Sequence, residues 1–134
     1  MVGQVADGVA RAGFDVDLRH GEAREAAFVS AISRAFVECK SDAKARSTGN
    51  VFVEIRQGAS DKGRGRPSGL SISEASWYAI EYEDDCWLVV RTSLLKSLTR
   101  RAKAERGTVM GGDFNRFEGV LVPVEWFVRP FKAA

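Results

Sequence analysis

The chain has 134 residues and a mass of 14.7 kDa, which suits one domain with one core and leaves too little for two independent ones. With 45% hydrophobic and 28% charged residues it lies near the globular average, which excludes disordered and fibrous classes. The formal net charge of +2 is mild and does not by itself separate a nucleic-acid binder from any other protein.

The opening residues to about Arg19 alternate weakly, and after Gly21 the segment EAREAAFVSAISRAF carries Glu25, Phe28, Val29 and Ile32 at helical spacing, which predicts a helix over 21–34. AFVECKSD then alternates with period two. Val37 and Cys39 point one way and Phe36, Glu38, Lys40 and Asp42 the other, the pattern of a strand with a charged face. AKARSTG has loop composition, and NVFVEIRQ alternates again, with Val51, Val53 and Ile55 opposite Phe52, Glu54 and Arg56. Antiparallel pairing of the two strands would make 36–56 a β-hairpin, with Lys40 opposite Phe52 and Glu38 opposite Glu54 on one face.

Residues 58–69, GASDKGRGRPSG, read as a glycine-rich basic connection, followed by Ser71 and Glu74 at capping-box spacing, which predicts a short helix. Strands over 77–82 and 86–91 flank an acidic turn at 83–85, and a Ser93-capped helix runs to about Arg106. A glycine-rich turn, GTVMGGD, and a final strand with a tail, GVLVPVEWFVRPF, close the sequence. This order predicts an α/β fold, a mixed central sheet flanked by helices. The three tryptophans, Trp77, Trp87 and Trp126, are expected in the core. Cys39 and Cys86 lie singly in apolar runs, which suits buried thiols rather than a disulfide or zinc site. No apolar run reaches the ~18 residues of a membrane span, and the N-terminus lacks a basic region followed by an apolar block, so a cytoplasmic protein without membrane contact is expected.

Charge is unevenly distributed. Between Lys40 and Arg66 seven basic residues (Lys40, Lys44, Arg46, Arg56, Lys62, Arg64, Arg66) stand against three acidic ones, and in the 58–69 connection, which also reads as a plain linker, Lys62, Arg64 and Arg66 would suit contact with phosphates. Two or three carboxylates with a lysine on adjacent strands form a chemical device, because hard oxygen ligands hold Mg²⁺ while it keeps waters and binds phosphate. The lysine can orient an attacking water or neutralise charge developing on phosphoryl oxygens. Any one charged residue on a strand is more often part of a solvated face. Glu38, Lys40, Asp42 and Glu54 together reverse that preference. His20 is the single histidine, so a histidine triad is poorly supplied, and no phosphate-binding glycine loop of nucleotide hydrolases or dinucleotide enzymes occurs.

The runs VECKSD, STGNVFVEI and GRPSGLSISEASWYAI resemble the PD-(D/E)XK nuclease superfamily, in particular its Holliday-junction-resolvase-like phage and bacterial group, over roughly residues 15–82. The resemblance implies a restriction-endonuclease-like core and a single nuclease-like domain over 1–134, a DNA endonuclease dependent on Mg²⁺ or Mn²⁺, and branched DNA as a substrate. It also implies a homodimer, since resolvases need two active sites, and the host cytoplasm as location if the protein is phage-encoded. By the same resemblance Glu25, or Glu22 if the helix is rotated, is the first-helix glutamate; Glu38, Asp42 and Glu54 are the metal ligands and Lys40 the catalytic lysine. The superfamily places E-x-K on the second hairpin strand, where this chain reads Glu54-Ile55-Arg56, so Lys40 would serve from the first. Lys44, Arg46, Arg56, Lys62, Arg64, Arg66 and Ser68 are the expected DNA contacts. The alternative is the same fold with a decayed site, binding DNA or a protein partner without cutting. In SLLKSLTRRAKAER a solvated basic helix face is favoured over DNA contact by Lys96, Arg100, Arg101 or Lys103.

Overall fold

A computed structural model describes residues 4–33, 35–58, 63 and 65–130. The chain divides into two compact units, Met1–Ala35 and Phe36–Ala134. In the first, a single helix α1 runs Gln4–Ser33. The helix expected over 21–34 is therefore the last part of a longer one. The weak alternation before Arg19 is overridden by a stretch free of proline, with alanines that favour helix.

The second unit opens with β1 (Val37–Ser41), the one-turn α2 (Ala45–Thr48), β2 (Asn50–Gln57) and the short β3 (Arg66–Pro67). A 3₁₀ turn (Gly69–Ser71), β4 (Trp77–Glu83), β5 (Cys86–Arg91) and α3 (Thr92–Arg106) follow. The chain continues through β6 (Val109–Gly111), a 3₁₀ turn (Asp113–Asn115), β7 (Phe117–Pro123) and one-turn α4 (Glu125–Val128). The strands form two sheets, β1-β4-β5 and β3-β2-β7-β6. β1 is parallel to β4, with Glu38 beside Tyr78 and Lys40 beside Ile80, while β4 and β5 form an antiparallel hairpin. β2 runs antiparallel to β7, with Phe52 beside Leu121 and Glu54 beside Gly119. The fold is thus mixed α/β, as the element order predicts, but two sheets stand in place of the single mixed central sheet expected, because β1 and β2 take partners from different segments.

The hairpin expected over 36–56 does not form. β1 and β2 belong to different sheets, and the register of Lys40 opposite Phe52 and Glu38 opposite Glu54 is replaced by the ladders to β4 and β7. The intervening segment is the reason. It is not a loose loop: α2 closes with Gly49 left-handed (φ 70°) and its amide donating to the Ala45 carbonyl, and this turn sends β2 to another sheet.

α3 packs on β7, β5 and β4, burying Leu95, Leu98 and Ala102 at helical spacing. Around them close Val51 and Val53 of β2, Tyr78 and Ile80 of β4, Val90 of β5 and Val120 and Val122 of β7. Of the sequence expectations here, the alternation of β2, the β4–β5 hairpin and α3 hold. The Ser93 cap does not: β5 runs straight into α3, so Arg91 takes the capping position and the Thr92 amide donates to the Ser76 carbonyl at 3.0 Å. Nor does a helix follow Ser71. The Ser71 and Ile72 amides close the 3₁₀ turn on Ser68 and Gly69, and the Ser73 hydroxyl accepts from the Ala75 amide, a local bond that competes with helix.

On β1 the face shared with the core is the one opposite to that implied by hydrophobicity. Register puts Glu38 and Lys40 on the face of Tyr78 and Ile80, so Cys39 is exposed with Trp87 and Val89 on the other face. Cys86 is half-buried, its Sγ 3.1 Å from the Tyr82 hydroxyl. The expectation of buried thiols fails for Cys39, and that of core tryptophans fails for Trp87, because both occupy the outward phase of their strands. Trp77 and Trp126 are half-buried, under the guanidinium groups of Arg91 (4.6 Å) and Arg101 (3.7 Å) respectively.

Candidate active site

Although β1 and β2 do not pair, their charged residues meet. Glu38, Lys40 and Glu54 line one cleft of about 360 Å³, closed by Gly69, Ser73 and Glu74 from the turn before β4. The Lys40 ammonium lies 2.6 Å from a Glu38 carboxylate oxygen. That ion pair holds the lysine pKa above its usual value against the opposing effect of burial, and the Glu54 carboxylate acts in the same direction as the pair. Lys40 thus stays a cation between two carboxylates.

Glu54 reaches the cleft because β2 is fixed on both sides. It pairs with Gly119 of β7, and the following Ile55 carbonyl accepts the Ser68 amide at 3.0 Å. Gly69 fits against it because it has no side chain: a Cβ there would lie 2.4 Å from the Glu54 carbonyl oxygen. Glu38 and Lys40, two apart on β1, share the inner face by the pleat. The E-x-K spacing expected on the second strand therefore occurs on the first, as Glu38-Cys39-Lys40.

Asp42 has another task. Its Oδ2 accepts the Phe52 amide at 2.8 Å and its Oδ1 the Lys44 amide at 3.1 Å, so the carboxylate ties the end of β1 to β2 and the start of α2. Among the described residues, no group of three or more histidine, cysteine, aspartate or glutamate side chains is gathered around one point. Glu38 and Glu54 remain as hard oxygen donors beside Lys40, and Mg²⁺ bound through one or two carboxylates plus waters and phosphate fits such a pair.

Lys40 and Glu54 also belong to the wall of a larger cavity of about 740 Å³, where they are joined by Asp42, Phe52 and Tyr78. Tyr78 is 3% exposed, and its hydroxyl has no hydrogen-bond partner; the Ser73 hydroxyl lies beside it without meeting hydrogen-bond geometry. Burial pushes the phenol pKa up, opposed by Ser73 and Lys40 and reinforced by Glu38 and Glu54. Glu74 and Tyr78 are the site residues that sequence reading misses. Glu74 reads there as a helix-capping partner, and an aromatic residue on a strand reads as core.

Glu22 and Glu25 are exposed on α1, in the first unit. Of the expected DNA contacts, Lys44 is exposed and Arg46 is paired with Glu83. Arg56 donates to the Gly65 carbonyl at 3.1 Å, and Arg66 stands beside Gln57 across the β2–β3 ladder. Ser68 is buried, which removes it from the surface where phosphates would lie. Lys62 and Arg64 lie outside the described residues. On α3, Lys96, Arg100 and Lys103 are exposed, whereas Arg101 is held by Glu105, the Pro130 carbonyl and Trp126. No helix among the described residues is long and apolar enough to cross a membrane.

Comparison of the chain with protein-family models, with curated proteins and with solved structures yields no match.

Proposed function

We propose that the protein is a divalent-metal-dependent DNA endonuclease on the PD-(D/E)XK plan, with a restriction-endonuclease-like core, hydrolysing phosphodiester bonds and acting on branched DNA as a homodimer. The observation that carries this reading is the meeting of Glu38, Lys40 and Glu54 in one cleft from two different sheets. Charges so placed contribute little to folding: the Glu38–Lys40 pair is part-exposed, and such pairs add only ~0–1 kcal/mol. A catalytic demand accounts for the cluster better than stability does.

Glu38 and Glu54 would hold Mg²⁺ or Mn²⁺, which when bound polarises the phosphate and lowers the pKa of its water. Lys40 would hold that water in line with the phosphorus and offset charge on the non-bridging oxygens. Asp42 serves by fixing β1 against β2. Lys44, exposed and on the wall of the larger cavity with Lys40 and Glu54, offers a contact to the phosphate backbone.

The test is cleavage of linear duplex and of a four-way junction in Mg²⁺ or Mn²⁺ by the wild type, Lys40→Ala and Glu54→Ala. The wild type is expected to cut and each variant to lose at least ~10²-fold in rate. Equal cutting of both substrates would remove the branched-DNA element, and an uncut substrate would sink the enzyme reading. A second reading, a module that binds DNA without cutting, draws on the absence of a three-residue metal cluster among the described residues. It predicts retention of DNA without products.

A further inference from the structure

A buried hydroxyl without a partner costs stability, so its retention calls for an explanation. Among the described residues four such side chains occur: Ser68, Tyr78, Thr92 and Thr99. Of these, Tyr78 alone lines the cavity that contains Lys40 and Glu54. It is adjacent to Glu38 across the parallel β1–β4 ladder, and its phenol senses the charges of Glu38, Lys40 and Glu54. Packing alone does not require the oxygen, because phenylalanine would fill the same space between β1 and β5.

Three of these groups have evident tasks in phosphodiester hydrolysis, yet none donates a neutral hydrogen bond. Glu38 and Glu54 only accept when ionised, and Lys40 is engaged by Glu38. An in-line displacement builds negative charge on the non-bridging phosphoryl oxygens, and fixed donors aimed at that charge stabilise it. A phenol O–H held in a low-dielectric wall, with no partner to give up, is such a donor.

We propose that Tyr78 is a further catalytic residue of this site, its hydroxyl donating a hydrogen bond to a non-bridging oxygen of the phosphoryl group under attack. The assignment rests on the endonuclease reading for the identity of the phosphoryl group. No proton leaves the phenol: its raised pKa keeps the O–H intact across the neutral range. The oxygen lacks a partner in the free protein because its partner arrives with the substrate.

The experiment compares the wild type, Tyr78→Phe and Tyr82→Phe as full chains in Mn²⁺ on a four-way junction. Binding of the same junction in Ca²⁺ and the thermal midpoint, with and without inorganic phosphate, are measured alongside. Tyr78→Phe is expected to lower kcat by ~10²-fold with KM and Ca²⁺-phase binding nearly unchanged, and to leave the midpoint equal or higher. Tyr82→Phe, whose hydroxyl meets Cys86 instead, is expected to cut as the wild type does. A Tyr78→Phe rate within about threefold of the wild type overturns the assignment, and so does a lowered midpoint, which would make the hydroxyl structural. Should the wild type leave the junction uncut, the phosphate arm decides. A phosphate-dependent rise in midpoint lost in Tyr78→Phe keeps Tyr78 as an anion donor while the endonuclease reading falls. Equal behaviour of the two proteins overturns the Tyr78 assignment as well.

Discussion

Substituting alanine for Gly69 tests how tightly the turn before β4 is seated on the strand that delivers Glu54. Two costs add at this position. The residue has φ 53°, where a side chain costs about 1–2 kcal/mol. The new Cβ would also stand 2.4 Å from the Glu54 carbonyl oxygen and 2.9 Å from the Glu54 Cβ, so backbone must give way, at the ~1–3 kcal/mol typical of overpacking. Gly49 is the internal control. Its φ of 70° imposes the same backbone penalty, but nothing lies within 4 Å of a Cβ there. Urea unfolding should therefore give a loss of about 2–5 kcal/mol for Gly69→Ala and about 1–2 kcal/mol for Gly49→Ala, with unchanged m values. Cleavage should fall further in Gly69→Ala than in Gly49→Ala at temperatures where both are folded, since the shift falls on Glu54. Losses equal to within ~0.5 kcal/mol would refute the close approach of turn and strand.

Asp42→Ala leaves the part-buried Phe52 amide without its acceptor and should cost about 1–3 kcal/mol by urea unfolding, while Asp42→Asn keeps one acceptor oxygen and costs less. Asp42→Asn should retain cleavage that Glu54→Gln loses; lost cleavage at unchanged stability would return Asp42 to the metal. The pKa values of Tyr78 and Lys40 are both raised, from 10.0 and 10.5. In each case the unfolded chain releases its proton first, so stability is complete below those unfolded values and declines as pH rises through the folded ones. The loss as pH rises above the unfolded value of 10.0 should be shallower for Tyr78→Phe combined with Lys40→Met, and identical slopes would show that these groups are not linked to unfolding.

Elements whose signal is local were legible in the sequence. The period-two run at Val51, Val53 and Ile55 announces a strand and its buried face, and the segments over 77–82, 86–91 and on to Arg106 announce two strands and a helix. Pairing was not legible, because it is set between distant segments. Two alternating strands separated by AKARSTG read as a hairpin, and only the one-turn helix inside that segment shows otherwise. The charged face of β1 illustrates a second limit. Hydrophobicity favours Val37 and Cys39 as the inner residues, yet parallel pairing with β4 turns Glu38 and Lys40 inward. Glu38, Lys40 and Glu54 thus share a cleft through ladders other than the hairpin the sequence suggests. Asp42 could not be told from a ligand, since an aspartate just past a strand serves equally to accept backbone amides at a turn.

The division of Lys40 and Glu54 between two sheets has a consequence for how the protein is made. β1 finds its partner only when β4 has been synthesised, and β2, which meets the short β3 early, completes its ladder only with β7, Asn50 pairing with Pro123. Loop-closure entropy must be met before such distant pairings stabilise anything, so this topology folds slowly for its size. A nascent chain ending before β7 carries every acidic residue of the cleft and its lysine, but lacks the Gly119 side of the ladder that holds Glu54. Convergence of the charges thus waits on pairings between segments far apart in the chain.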